Sequence, residues 1–295
     1  MPPHSRAPLV NRFRLALVTL ALVLAATVAD IRVSHAESLE ETVCISVLER
    51  FAFWLWSSVA GTPDPTLAAA VPNAEPIVHQ TRDGRLLRGY KLRSTAADGA
   101  VTARMLVAQG NAMLAEELLP SLTYFSRAGI ETTVFDYRGY GDSQGAPRLK
   151  AIASDYRELF DALDASGPGK RFLYGISFGG IVSLAVVGSG IAVDRVVIDS
   201  TPSRISHFGC PQSYDPVANL PRDSSRVLIV AGERDRVVPA GNSRELREVA
   251  ESRGARTELH ADYAHPFMDS DPGVARARLE LIRAFLLAGD EQAAQ

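Results

Sequence analysis

The chain contains 295 residues, of which 46% are hydrophobic and 22% are charged, and its formal net charge at pH 7 is −3. This length suits one large domain or two small ones, and the apolar content excludes a chain that is mainly disordered. The sequence has no dense cluster of Lys and Arg, so it gives no support for a nucleic-acid partner.

Residues 1–36 have the three parts of a secretory signal peptide. The first 14 residues contain three arginines and no acid, residues 15–29 carry no charge, and Ser34 and Ala36 occupy the −3 and −1 positions of a small-residue cleavage site. A membrane-spanning helix needs about 20 apolar residues, which exceeds this run. We therefore predict cleavage after residue 36 and a periplasmic or secreted protein. The alternative is an uncleaved N-terminal membrane anchor.

Residues 37–75 are predicted to form an apolar segment followed by a proline-rich linker. Residues 46–59 contain both tryptophans, Trp54 and Trp56, and are too apolar for one face of an exposed helix. We expect a helix packed onto the main domain. The alternative is peripheral membrane contact, with Trp54 and Trp56 at the level of the lipid headgroups. The prolines that follow are expected to prevent regular structure up to residue 76.

From residue 76 to the end, predicted strands alternate with predicted helices, and Asp83-Gly84 marks a hairpin between the first two strands. The strands are predicted at residues 77–80, 86–92, 103–108, 132–137, 171–176, 195–198, 227–231 and 257–260. The helices are predicted at residues 114–127, 149–165, 178–187, 243–252 and 274–288. Repeated strand–helix units indicate an α/β domain over residues 76–295, with a mainly parallel sheet covered by helices on both faces.

The most specific motif is Gly175-Ile176-Ser177-Phe178-Gly179, which fits the pattern G-x-S-x-G. A predicted strand precedes it and a predicted apolar helix follows it, which is the context that a nucleophile elbow requires. The tight turn lifts the Ser177 hydroxyl above the sheet edge, beside a helix N-terminus that favours developing negative charge. Ser177 is therefore the predicted nucleophile, and a purely structural glycine turn is the alternative.

A serine nucleophile needs a base, and the base needs an acid that orients it. Asp235 follows the predicted strand at residues 227–231, and His265 follows the last predicted strand. The carboxyl ends of parallel strands are where such sites are built, so Asp235 is the predicted acid and His265 the predicted base. The sequence also leaves open Asp199 or Asp262 as the acid, His260 as the base, and His207 as a residue that lines the site.

Residues 76–288 resemble the serine hydrolases of the α/β-hydrolase fold. The resemblance is strongest to the branch of serine aminopeptidase-like, monoacylglycerol-lipase-like and acyl-protein-thioesterase-like enzymes. The segments that carry it are VAQGNAM at 107–113, DYRGYGDSQG at 136–145, YGISFGG at 174–180, VAGERDRVVP at 230–239 and AHPF at 264–267. The chain order Ser177, Asp235, His265 is the order of this fold. The resemblance implies the same three roles for these residues and specifies the substrate only weakly.

Acyl transfer also needs two N–H donors for the oxyanion. The first is expected from the amide of Phe178, next to the nucleophile, and the second from Asn111 in the loop after the strand at 103–108. Gly110 lets the backbone approach closely in that loop. Relatives usually have His before this glycine, whereas this chain has Gln109, which weakens the match without removing the donor.

Both cysteines, Cys44 and Cys210, lie after the predicted signal peptide. An even number of cysteines in an exported chain permits a disulfide, which would tie the N-terminal segment to the region after a late strand. The alternative is two unrelated buried thiols.

Residues 200–225, between two late strands, contain four prolines and are too short and irregular for a multi-helix lid. We expect a minimal lid and an open pocket, which suits small esters or acyl groups attached to something bulky.

The sequence therefore predicts an exported serine hydrolase that cleaves carboxylic esters or thioesters, acting on a small-molecule or acylated substrate. No metal-ligand cluster or nucleotide-binding loop appears in the sequence, so this chemistry is expected to need no cofactor. The alternatives are a serine peptidase or aminopeptidase on the same fold, and a non-catalytic binding protein of the cell envelope.

Overall fold

The structure is a computed structural model that describes residues 38–163 and 169–288. The chain divides into two compact units, Met1–Glu41 and Thr42–Gln295, and every helix and strand given below belongs to the second. The predicted signal peptide at residues 1–36 lies outside the described residues.

Eight strands form one sheet, with the spatial order β1-β2-β4-β3-β5-β6-β7-β8. They are β1 Ala74–Gln80, β2 Leu86–Leu92, β3 Ala103–Ala108, β4 Ile130–Phe135, β5 Lys170–Ile176, β6 Arg195–Asp199, β7 Val227–Gly232 and β8 Arg256–His260. Strand β2 is antiparallel to both of its neighbours, β1 and β4, and all other pairs are parallel. The predicted mainly parallel sheet is confirmed.

Helices cover both faces of this sheet, as the sequence predicts. They are α1 Ser46–Ala60, α2 Pro65–Ala69, α3 Ala115–Ser126, α4 Leu149–Ala162, α5 Phe178–Gly188, α6 Arg244–Ser252 and α7 Pro272–Leu287. One hydrophobic cluster joins α1, α4, α5 and α6 to the sheet, and a second joins α3 and α7 to the opposite face. Strands β3, β4 and β7 are buried along their whole length. Cover on both faces explains why the sequence of β7, VLIVAG, is a continuous apolar run rather than an alternating pattern.

The proline-rich linker contains a short helix that the sequence analysis did not predict. Pro65 occupies the first turn of α2, where its missing N–H has no intrahelical acceptor to lose. The Asp64 side chain caps the helix by accepting a hydrogen bond from the Thr66 N–H at 2.9 Å. Strand β1 then begins at Ala74, before the predicted start of the α/β domain, and strand β4 begins two residues earlier than predicted.

Helix α1 is packed onto the domain, and its two tryptophans lie on different sides. Phe53 is only 2% exposed within the core, and Trp56 packs against the same cluster. Trp54 is 61% exposed. Of the two proposed membrane-contacting tryptophans, Trp56 faces the domain and Trp54 faces outward, so membrane contact stays a hypothesis for the Trp54 side alone. Within the described residues, no helix has both the length and the apolar character needed to span a membrane.

Two further contacts fasten the start of α1. Cys44 and Cys210 form a disulfide across 166 residues of sequence. The buried carboxylate of Glu49 accepts hydrogen bonds from the N–H groups of Val43 and Cys44, both at 2.8 Å, and of Leu149 at 3.0 Å. Residues 42–75 are therefore integrated with the α/β domain.

Candidate active site

Ser177 lies at the turn between β5 and α5, in a left-handed conformation with φ 55° and ψ −115°. Such a conformation is strained for a residue with a Cβ, and it persists because the surroundings hold it. The Ser177 N–H donates to the carbonyl of Asp199 at 2.8 Å, and the Thr201 hydroxyl donates to the Ser177 carbonyl at 2.9 Å. A Cβ on Gly179 would lie 1.9 Å from the carbonyl oxygen of Ala108, so this position admits glycine only.

Asp235 and His265 are brought together at the same edge of the sheet. Asp235 follows β7 and His265 follows β8, and the ring Nδ1 of His265 lies 2.9 Å from Oδ2 of Asp235. Both side chains are buried. The other carboxylate oxygen of Asp235 accepts hydrogen bonds from the N–H groups of Val237 and Val238, each at 2.8 Å.

Two opposing effects set the charge of Asp235. Burial by itself raises the pKa of this carboxyl, but the hydrogen bonds from His265 and the Val238 N–H outweigh burial and leave the pKa below its ordinary value. Asp235 is thus ionised at neutral pH. A carboxylate in this state holds the adjacent imidazole with Nδ1 protonated and Nε2 free to accept a proton.

The end of β6 links Ser177 to this pair. Asp199 receives the Ser177 N–H through its carbonyl, and the next residue, Ser200, lies with its side chain beside Asp235. No hydrogen bond joins the Ser177 hydroxyl to His265 in the described residues. The structure therefore joins His265 to Asp235 directly and places Ser177 at the same edge of the sheet, without a hydrogen bond to His265.

The two predicted oxyanion donors lie beside Ser177. Phe178 is the first residue of α5, and N–H groups in a first helical turn have no intrahelical acceptor. Asn111 lines the same cavity as Ser177. A Cβ on Gly110 would lie 3.8 Å from the Ser177 Cβ, which shows how closely this loop approaches the nucleophile.

A buried network holds the loop that carries Asn111. The Tyr137 hydroxyl donates to the Gln109 carbonyl at 2.5 Å, and Asp136 accepts from the Ala115 N–H at 2.7 Å. The Gln109 side-chain amide donates to the carbonyl of Met113 at 2.9 Å, so the residue that replaces the usual His closes the loop on itself. Burial raises the pKa of Asp136 to about 7.

The alternative site residues have other positions and partners. Asp199 is fully buried, and its carboxylate contacts the Tyr174 hydroxyl at 3.2 Å and Arg278 at 3.4 Å. These two contacts give the Asp199 carboxylate a structural role that does not require catalysis. His260 stacks on Tyr263 with ring centroids 4.0 Å apart. Asp262 pairs with Arg234 on the surface. His207 lies in a short 3-10 helix and is not among the cavity-lining residues.

An apolar cavity of about 470 Å³ opens above Ser177. Its walls come from the start and middle of α1, from α5, and from the loops after β6 and β7. The lining residues are Cys44, Leu48, Glu49, Phe51, Ala52, Phe53, Trp56, Asn111, Leu149, Ser177, Phe178, Ile181, Pro202, Ile205, Phe208, Cys210, Val237 and Val238.

The contribution of α1 to this cavity is what the sequence analysis missed. The loop between β6 and β7 contains only three short 3-10 helices, at Ser206–Phe208, Gln212–Tyr214 and Pro216–Asn219, in agreement with a minimal lid. Helix α1, from a distant part of the chain, also forms one wall of this cavity, which remains partly open. The one available signal was the pair Cys44 and Cys210, which lines the cavity as a disulfide.

Comparisons with known proteins agree with this architecture. A family model described as serine aminopeptidase, S33, matches residues 99–208. An uncharacterized protein of Mycobacterium tuberculosis (strain ATCC 25618 / H37Rv) is 27% identical over 248 residues, which cover 76% of this chain and 83% of that protein.

Two solved structures share the fold. The Pyrococcus furiosus esterase Pf2001 matches with a TM-score of 0.59 at 17% identity, over 77% of this chain and 93% of the esterase. XC6422 from Xanthomonas campestris, described as an a/b serine hydrolase without lid, matches with a TM-score of 0.54 at 18% identity, over 72% of this chain and 92% of that one. At these identities the likeness establishes the fold.

Proposed function

We propose that this chain, which has the α/β-hydrolase fold and matches a serine aminopeptidase family model over residues 99–208, is an exported serine hydrolase that cleaves carboxylic esters or thioesters through an acyl-enzyme. The observation that carries the proposal is the position of Ser177, on a strained elbow, at the same sheet edge as the hydrogen-bonded pair of His265 and Asp235. A serine hydroxyl is a weak nucleophile alone, and an imidazole oriented by an ionised carboxylate is the base that activates it.

Acylation begins when Ser177 Oγ attacks the carbonyl carbon of the substrate. His265 takes the hydroxyl proton on Nε2, and Asp235 stabilises the imidazolium through the 2.9 Å contact to Nδ1. Substrate binding completes the contact between Ser177 and His265, since catalytic hydrogen bonds of free enzymes often tighten only in the complex. His265 then returns the proton to the departing alcohol or thiol, which leaves the acyl group on Ser177.

The negative charge that develops on the carbonyl oxygen is stabilised by the N–H groups of Phe178 and Asn111. Deacylation repeats the same steps with water: His265 removes a proton from the water, the oxygen attacks the acyl carbon, and Ser177 recovers its proton as the carboxylic acid leaves. The buried network of Asp136, Tyr137 and Gln109 keeps the Asn111 loop in position for both steps.

The lining of the cavity favours an ester or thioester over the amino terminus of a peptide. An aminopeptidase needs a free carboxylate to bind the substrate ammonium group. Glu49 is the acidic residue in the described lining, and its carboxylate already accepts hydrogen bonds from the N–H groups of Val43, Cys44 and Leu149. The remaining lining is mainly apolar and offers no charge complementary to an ammonium group.

Labelling with a fluorophosphonate probe tests the nucleophile. We expect the purified protein to be labelled and the Ser177→Ala variant to lose all labelling, with a melting temperature close to that of the parent. Ser183→Ala is the matched control, because Ser183 is a buried serine on the same helix whose hydroxyl has no hydrogen-bond partner in the described residues. Equal labelling of the Ser177→Ala variant contradicts the proposal.

A substrate panel separates the remaining function classes. We expect turnover of p-nitrophenyl esters and acyl thioesters and little turnover of aminoacyl p-nitroanilides. A preference for the anilides would indicate a peptidase, and complete absence of turnover and labelling would indicate a non-catalytic binding protein.

Export is supported by the pattern of residues 1–36 and by a disulfide at Cys44, since disulfides persist in oxidising compartments. The intact mass of the protein recovered from its native cells tests this part of the proposal. We expect a chain that begins at Glu37. A chain that keeps residue 1 and sediments with membranes would instead indicate an uncleaved anchor.

A further inference from the structure

We propose that α1, held in place by the Cys44–Cys210 disulfide, is the fixed roof of an acyl-binding pocket that selects unbranched aliphatic chains of medium length. The inference rests on the proposed function and goes further, because it assigns the acyl specificity to a helix outside residues 99–208, the part that the family model matches.

The roof contacts the catalytic elbow directly. The ring of Phe178, whose N–H is a proposed oxyanion donor, lies with its centroid 5.6 Å from Phe53 and 6.1 Å from Trp56, both on α1. Leu48 and Ala52 extend this apolar surface along the helix. The acyl chain of a substrate attacked by Ser177 would therefore run beneath α1.

The opposite wall is equally apolar. It is formed by Ile181 on α5, Ile205 and Phe208 in the loop after β6, and Val238 in the loop after β7. Two of the polar side chains in the lining, Ser177 and Asn111, lie where the ester group of the substrate would react. The third, Glu49, already accepts hydrogen bonds from backbone N–H groups. An uncharged, flexible hydrocarbon chain is the ligand that fits such walls.

The size of the cavity limits the length of the chain. A water molecule occupies about 30 Å³ of liquid and a methylene group is of similar size, so about 470 Å³ holds roughly 15 heavy atoms at complete filling. The ester group and incomplete packing take part of this space. The pocket therefore fits acyl chains of about six to ten carbons.

The roof is fixed rather than mobile, because it is fastened at several points. The disulfide joins its N-terminal end to the loop after β6, and Ile45 packs so closely on that loop that a Cβ on Gly209 would lie 2.4 Å from its side chain. Glu49 binds the chain before α1 and the first residue of α4, and Phe53 is anchored in the core. A preformed pocket of constant length should give a sharp maximum in chain-length preference.

The test is a series of p-nitrophenyl esters from acetyl to palmitoyl. For the parent protein we expect kcat/KM to rise by up to about fourfold per added methylene and to pass a maximum near octanoyl. In Ala52→Trp, which fills the pocket from the roof, the octanoyl-to-acetyl ratio of kcat/KM should fall by at least about tenfold. In Trp56→Ala, which enlarges it, the maximum should move to longer chains.

Val59→Trp is the matched control, because Val59 is an exposed residue of α1 that does not line the cavity. Its chain-length profile should equal that of the parent. If Ser177-dependent turnover is present but the profiles of Ala52→Trp and Trp56→Ala also equal the parent's, the roof proposal is overturned and the proposed function stands. Activity that declines steadily from the acetyl ester in the parent overturns it as well.

A second readout does not require turnover. In the Ser177→Ala variant, octanoate should raise the melting temperature and acetate should not, and the additional Ala52→Trp substitution should remove the octanoate effect. If the parent protein shows neither labelling nor turnover but this octanoate effect is present, the proposed hydrolase activity is refuted. The proposal of an acyl-binding pocket would then still stand. Equal stabilisation with and without Ala52→Trp would refute the pocket.

Discussion

The elbow at Ser177 and the roof formed by α1 meet in one cavity, yet they are built in different ways. The elbow is local: five consecutive residues between a strand and a helix adopt one strained turn, and Gly179 has no room for a Cβ against Ala108. The roof is non-local, since Cys44 reaches Cys210 across 166 residues.

The difference separates chemistry from selectivity. The elbow, together with His265 and Asp235, carries the residues proposed for acyl transfer, and this reaction at the carbonyl group is the same for every ester. The roof contacts the elbow through the ring of Phe178 and lines the space in which we place the acyl chain. Substitutions at Ser177, Asp235 or His265 should therefore lower the activity on all esters. The effect of a substitution in the roof should depend on the length of the acyl chain.

The largest expected effect is a loss of activity in the variant Asp235→Asn. The amide keeps the shape of the side chain but does not stabilise an imidazolium, so kcat should fall by about 10³–10⁴-fold for acetyl and octanoyl esters alike. Steady-state kinetics on both esters measures this. Asp262→Asn is the control, since Asp262 is an exposed surface residue. A loss confined to long esters would break the separation between the two regions.

The next effect concerns the loop that carries Asn111. Burial raises the pKa of Asp136 to about 7 in the folded state, from about 3.9 when unfolded. A raised carboxyl pKa stabilises the fold fully below the unfolded value, and this stabilisation is lost as pH rises from about 4 through about 7, by up to about 4 kcal/mol. Urea unfolding across this pH range should show the decline.

Asp136→Asn should reduce this decline, because the amide stays neutral and its oxygen still accepts the Ala115 N–H. Asp98→Asn, at an exposed position whose charge is not among the causes of the Asp136 shift, should keep the parent's pH dependence. A decline that is the same in all three proteins would contradict the assignment to Asp136.

The smallest expected effect is on the roof's attachment. Replacing Cys44 and Cys210 together with serine should lower the free energy of unfolding by about 2–4 kcal/mol, because the disulfide closes a long loop. Urea unfolding measures the change, and the parent unfolded in the presence of a reductant should match the variant. An unchanged midpoint would mean that the Glu49 and Phe53 contacts alone hold α1.

Much of the fold follows from local sequence patterns. Every predicted strand coincides with an observed one, and each predicted helix does the same, with shifts of a few residues at the ends. The positions of Ser177, Asp235 and His265 at the ends of β5, β7 and β8 follow from the same patterns, because parallel strands end at one edge.

Helix α2 shows where local rules mislead. Pro65 was expected to interrupt structure, whereas the Asp64 cap and the first-turn position make the same proline compatible with a helix start. The two tryptophans show a second limit. Trp54 and Trp56 are neighbours in an apolar stretch, and only the packing of α1 places Trp56 over Phe178 and leaves Trp54 outside.

Sequence alone was sufficient to identify a mainly parallel α/β sheet, a glycine-bounded serine turn, and an acid and a histidine that follow later strands, because these depend on neighbours in the chain and on hydrophobic periodicity. The apolar cavity above Ser177 depends on which distant surfaces meet. Whether α1 covers Ser177 or faces elsewhere is decided by the contacts of Phe53, Glu49 and Cys44 with residues up to 166 positions away. Those contacts depend on three-dimensional complementarity of shape and charge, which periodicity does not encode.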